Sequence, residues 1–162
     1  MRSSLLRTDG EITEIYERHF LTVYRVCYAF MRNKPDSEDA VHETFCKLIK
    51  SGTPFDSEEH EKAWLIRTAT NTCKNALRNS WSKRVSIDDH QNLSACDDYE
   101  IDDVFNAIID LPEKYKSVVF LYYYEGYDSA EISKILNKPK ATIRYHLHMA
   151  RKILKEKLEG SI

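Results

Sequence analysis

Glycine and proline are scarce in this chain, four of each among 162 residues. That scarcity excludes collagen-like and Gly/Pro-rich low-complexity chains, and no internal repeat is present. No apolar run approaches the roughly 18–20 residues of a membrane span. The opening MRSSLLRTDG lacks the apolar core of a signal peptide, so a cytoplasmic chain without membrane insertion is expected. The four cysteines, Cys27, Cys46, Cys73 and Cys96, lie 19, 27 and 23 residues apart with no CxxC pair. A reduced chain is the simplest reading, although an unpaired set in a secreted protein is also compatible with it. His42 and Cys46 stand four apart, as in half of a zinc-protease helix, but no third ligand is identifiable. A Gly-rich phosphate loop, a nucleophile elbow and a convincing carboxylate pair are also missing. No catalytic residue, metal or cofactor is therefore expected.

What is present is globular: 42% hydrophobic and 31% charged residues. The length suits one ordinary domain or two of about 80 residues. A formal net charge of −2 argues at first against a nucleic-acid partner. Mapped along the chain, it resolves into blocks. Residues 9–61 carry −6, residues 62–84 carry +6 with no acid, residues 85–112 carry −8 with no Lys or Arg, and residues 130–158 carry +6. Such blocks suggest surfaces with different partners, although any single run is also compatible with a merely solvated face.

No segment alternates as a strand does, and the expected class is all-α. The acidic stretch from Ser86 to Asp103 has few large apolar residues, so 85–103 reads as a linker between small helical domains at 9–84 and 104–160. In the first, Ile12, Tyr16, Phe20, Val23, Cys27 and Phe30 recur at helical steps and predict a buried stripe. Asn33, Lys34 and Pro35 break it. A second helix is expected from Ser37, with Glu38 and Asp39 in its first turn and Val41, Phe45 and Leu48 facing the core.

The third segment, Glu61 to Trp81, places Leu65, Ala69, Thr72, Cys73 and Ala76 on one face. Trp64, Arg67, Asn71, Lys74 and Arg78 fall within an arc of roughly 80° on the other. Cations neutralise phosphates, Asn and Arg can read base edges, and Trp can stack on an unpaired base. A helix whose polar face simply meets water would look the same.

In the second domain a helix opens at Asp110-Leu111-Pro112-Glu113 and runs through Tyr123 to a stop at Gly126. Tyr122, Tyr123 and Tyr124 point in different directions, so one or two of them are expected in the core. Asp128 and Glu131 form a capping box for a short helix with Ile132 and Ile135 inside. Asn137-Lys138-Pro139 supplies a tight break. A long helix from Lys140 to Leu158 follows, with Ile143, Leu147, Ala150, Leu154 and Leu158 inward. This is the helix-turn-helix arrangement, and it presents Lys140, Thr142, Arg144, Tyr145 and His148 to a major groove. A helical hairpin of a protein-interaction adaptor could share the pattern, as could a helix-turn-helix regulator.

At this point the chain resembles an extracytoplasmic-function (ECF) sigma factor over roughly residues 11–158. The resemblance rests on DSEDAVHETF (Asp36 to Phe45), AWLIRTATNTCKNALR (Ala63 to Arg78), LPEKYKSVVFLYYYEGYDSAEISKIL (Leu111 to Leu136) and ATIRYHLHMARKIL (Ala141 to Leu154). It implies a subunit that binds core RNA polymerase and directs it to promoter DNA. Asp36, Glu38, Asp39 and Glu43 would dock on the β′ clamp helices. The Trp64–Arg78 helix and the loop before it would engage the −10 element and its melted strand. The helix-turn-helix would read the −35 element while resting on the β flap, and the acidic linker would follow the enzyme's basic channel. An anti-sigma factor is the further partner the resemblance implies. The chain departs from the family at the recognition helix. Tyr145 and His146 stand where Ser and Arg are common, Met149 stands where a second Arg is usual, and His42 replaces a common Gln.

Overall fold

The computed structural model describes residues 7–52, 54–81 and 103–160. The chain divides into two compact units, Met1–Asn92 and Leu93–Ile162. All regular elements among the described residues are helices, as expected. The expected linker, apart from Asp103, lies outside the described residues, as do Cys96, Lys83 and Arg84.

The first unit holds α1 (Asp9–Met31), α2 (Lys34–Ser51) and α3 (Glu58–Trp81), each packed on the other two. Helix α1 starts in a capping box: Thr8 Oγ1 accepts from the Glu11 N–H, and Glu11 Oε2 accepts from the Thr8 N–H. Helix α2 begins three residues before the expected Ser37. Asn33 caps it, accepting from the Asp36 N–H at 2.9 Å, and Pro35 sits in the first turn. There its missing N–H costs nothing, so the proline that reads as a break is a start. Ser37 lies buried inside the helix. Gly52 ends α2 at φ 61°, a left-handed conformation that glycine adopts without a Cβ clash. Helix α3 also starts earlier than Glu61, at Glu58, with Ser57 Oγ accepting from the His60 N–H.

Val23, Cys27 and Phe30 from α1 meet Val41, Phe45 and Leu48 from α2 and Leu65, Ala69 and Cys73 from α3 in the core. Leu48 and Leu65 are fully buried, each contributing about 2 kcal/mol relative to an exposed side chain. The stripe expected on α1 is corrected in its first half. Ile15 and His19 are buried, while Tyr16 is 41% exposed and Ile12 and Phe20 are half-buried. The cause is polar. Glu61 of α3 is itself buried, and its Oε1 accepts from His19 Nε2 at 2.7 Å and from Arg18 Nη1 at 2.6 Å. A satisfied histidine thus takes the place that an apolar pattern reserves for Tyr16.

The second unit holds α4 (Asp103–Ile109), α5 (Glu113–Tyr123), α6 (Ser129–Leu136) and α7 (Lys140–Gly160). Helix α4 was not foreseen. Its seven residues are too few to show a period, yet Phe105, Ile108 and Ile109 are buried. Ile108 joins Leu111, Tyr115, Val119 and Ala150 in one cluster, with Tyr124 and Met149 packed against it. Tyr123 is exposed and Tyr122 half-buried, so one tyrosine of the three packs on this cluster. Ile143, Leu147 and Ala150 of α7 are buried as expected, whereas Leu158 is 47% exposed. Close to that end, Lys157 Nζ meets Asp110 Oδ2 at 2.6 Å.

Candidate nucleic-acid interface

The helix-turn-helix is built as its sequence requires. Asp128 Oδ1 accepts from the Glu131 N–H at 2.9 Å, and Glu131 Oε1 accepts from the Asp128 N–H. The Glu131 N–H holds the Asp128 carboxyl below its ordinary pKa. Helix α6 ends on Asn137 at φ 54° and ψ 51°, the left-handed conformation that asparagine tolerates. Two bonds then fix the turn. The Lys138 N–H donates to the Ser133 carbonyl at 3.1 Å, and Ser133 Oγ donates to the Lys138 carbonyl. Helix α7 starts two residues later. Lys140, Arg144, Tyr145 and His148 are exposed, Tyr145 by 57%, and Thr142 is half-buried. Met149 packs on the core instead of joining this face.

On α3, Arg67, Asn71 and Arg78 are exposed, while Trp64 and Lys74 are half-buried. The opposite side carries fully buried Leu65, Ala69 and Cys73, so the core side and the polar stripe fall as expected. The structure adds two members. His60, one turn before Trp64, is exposed on the same stripe, and Phe55 in the preceding loop touches both, with centroids at 5.3 and 5.8 Å. An aromatic inside a short loop has no period to betray it, and His60 lies in a turn assigned to the loop.

Family models for sigma-70 region 2 and sigma-70 region 4 match residues 15–83 and 101–154. The ECF RNA polymerase sigma factor SigM of Bacillus subtilis is 30% identical over 153 residues, spanning 89% of this chain and 93% of that protein. The chain belongs to the ECF sigma factor family. SigV of the same bacterium, an RNA polymerase sigma factor, is 25% identical over 86% of both chains. The fold matches a solved sigma factor RpoE, in complex with the anti-sigma factor NepR from Bartonella quintana, at a TM-score of 0.70 and 18% identity. That match covers 92% of this chain and 97% of the other.

The acidic residues of this sigma factor's α2 do not form one patch. At 100° per residue, Asp36, Asp39 and Glu43 fall within roughly 60° of one another, whereas Glu38 lies roughly 160° from Asp36. Asp36 is half-buried and accepts from Asn33 Nδ2 at 2.9 Å. Glu38, Asp39 and Glu43 are exposed. Glu38 pairs with Lys34 at 3.9 Å and Glu43 with Lys47 at 3.7 Å, surface contacts weak enough to exchange for another cation. Glu38 borders a groove lined by Tyr16, Phe20, Val41, His42 and Phe45. Sequence reasoning missed this groove because it placed Tyr16 and Phe20 in the core.

Among the described residues no three His, Cys, Asp or Glu side chains are grouped to hold a metal. Cys46 Sγ lies 3.5 Å from His42 Nε2. Cys27 and Cys73 are fully buried, and a mutual hydrogen bond together with burial pushes the Cys27 thiol well above its usual pKa. No helix among the described residues is long and apolar enough to cross a membrane.

Proposed function

We propose that this ECF sigma factor divides its work between its two units. In the first, Trp64, Arg67, Asn71, Lys74 and Arg78, with Phe55 and His60, bind the −10 element and its separated strand. Asp36, Asp39 and Glu43 on one side of α2 and Glu38 on the other bind the β′ clamp helices of core polymerase, and the groove of Tyr16, Phe20 and Phe45 adds apolar surface beside Glu38 alone. In the second, Lys140, Thr142, Arg144, Tyr145 and His148 read the −35 element, and another side of the unit rests on the β flap. The domains are 9–84 and 104–160, joined by the acidic linker 85–103. No group of the chain itself is required to do chemistry. The protein acts in the cytoplasm, where polymerase and promoters are. An anti-sigma factor is the expected inhibitor, a reading supported by the fold match to a sigma factor solved with one.

The observation that carries this reading is the short-helix, left-handed-turn, long-helix geometry of α6, Asn137 and α7, with Lys140, Arg144, Tyr145 and His148 exposed where α7 begins. The test is reconstitution: purified chain is added to sigma-free core polymerase, and transcripts are mapped on genomic DNA. Promoter-specific starts are expected. Strong palindromic DNA binding without any complex with core would indicate a stand-alone regulator. Binding to neither would indicate an adaptor.

A further inference from the structure

Of the described residues from Gly52 to Trp64, Glu61 alone is buried, at 8% exposure. This stretch carries Phe55 and His60 and leads into the α3 stripe. Its local bonds fold it upon itself: Ser57 Oγ accepts from the His60 N–H at 3.1 Å, and the Ser57 carbonyl accepts from the Glu61 N–H at 3.1 Å. The Glu61 side chain instead reaches across to α1. Its Oε1 meets His19 Nε2 at 2.7 Å and Arg18 Nη1 at 2.6 Å, and the exposed carboxylate of Glu58 lies 3.5 Å from Arg18 Nε. His19 is 5% exposed, so both ends of the central contact are out of water. The next buried residue of α3 is Leu65, more than one turn further on.

We propose that Glu61 is a positioning residue for promoter opening, held in place by His19 and Arg18. Apolar packing is non-directional, so a helix start resting on it can rotate or slide at little cost. Charge-assisted hydrogen bonds are directional, and a buried polar group that loses them is strongly penalised. Polar contacts of this kind set register between packed helices. Here two donors on α1 fix the rotation of the first turns of α3. They thereby fix where His60 and Trp64 stand, one residue before the carboxylate and three after it. The stripe that faces DNA is aimed from within the unit, by residues that do not touch DNA. The inference rests on the proposed role of the α3 stripe at the −10 element.

The test uses the full chain bound to core polymerase and a promoter located by reconstituted transcription. Permanganate reactivity of unpaired thymines reads strand opening, and anisotropy reads affinity for core polymerase. Every variant is measured well below its own melting temperature. Glu61→Ala is expected to lower opening about tenfold, the scale of one lost base contact, with core affinity within about twofold of the parent. Glu61→Gln, which still accepts from both donors, should restore most of the opening. Val26→Ala truncates a different buried side chain of α1 and should open promoters as the parent does, although it also melts earlier. Normal opening by folded Glu61→Ala, an equal loss in Val26→Ala, or loss of core affinity in step with opening would each make Glu61 a merely structural contact and overturn the proposal. Arg67→Ala and Asn71→Ala separate the two readings. If they impair opening and Glu61→Ala does not, positioning fails and the α3 reading stands; if they leave opening intact, the α3 reading fails and takes positioning with it.

Discussion

Asp128 shows how much one residue can determine. Its carboxylate satisfies the first free N–H groups of α6, and so sets where the helix-turn-helix begins. Because its folded pKa is lowered, the stabilisation is fully present above the usual aspartate range and is lost as pH falls through the lower, folded value. Asp128→Ala should therefore melt earlier than the parent at neutral pH. The gap should stay constant above the usual aspartate range and narrow as pH falls below it, through the lower, folded value. Asp128→Asn, which can still cap, should fall between them in calorimetric melts. Arg144 makes a second test at this scale. If it reads a base edge, Arg144→Ala should cost the holoenzyme about 1–3 kcal/mol of promoter affinity and relax preference at one position. A uniform loss across sequences, with the salt slope falling by about 1, would place it on a phosphate.

At the scale of elements, the contact among Arg18, His19 and Glu61 governs how α1 meets α3. Glu61→Ala removes the shared acceptor and leaves His19 buried beside a cavity. The expected loss is about 2 kcal/mol, at the low end for a buried pair because Arg18 keeps access to water. Urea denaturation checks it. Glu61→Gln, which can still accept a hydrogen bond, should recover part of the difference. This contact also explains what a reader of the sequence could and could not see. The core sides of α2, α3, α6 and most of α7 were legible because Leu, Ile, Val and Ala mark them at helical steps. The first half of α1 was not, because a histidine is buried by a partner 42 residues away. Starts fared worse than faces: Asn33-Lys34-Pro35 reads equally as the end of one helix and the beginning of the next. Helix α4 was hidden by its length. In the candidate site the basic stripes were legible residue by residue. Phe55 and the groove beside Glu38 were not, since each exists only when separate elements meet.

For the whole molecule, a net charge of −2 conceals surfaces of opposite sign. A chain that is acidic around α2 and basic along α3 and α7 should hold promoter DNA weakly on its own. Promoter affinity measured by anisotropy should rise by at least an order of magnitude when core polymerase is added, as a second tether raises effective concentration. Equal affinities would reject that view. The carboxylates of α2 already rest against Lys34 and Lys47, and that arrangement has a consequence for salt. When a basic partner takes the place of those lysines, Lys47 keeps its hydrogen bond to Thr72 Oγ1. The lysine charges, no longer offset by these carboxylates, gather anions, so docking on that side would free fewer small ions than its charge count suggests. DNA bound along the proposed faces of α3 and α7 would shed condensed cations. Raising the ionic strength should therefore strip this sigma factor from its promoters well before it leaves the polymerase.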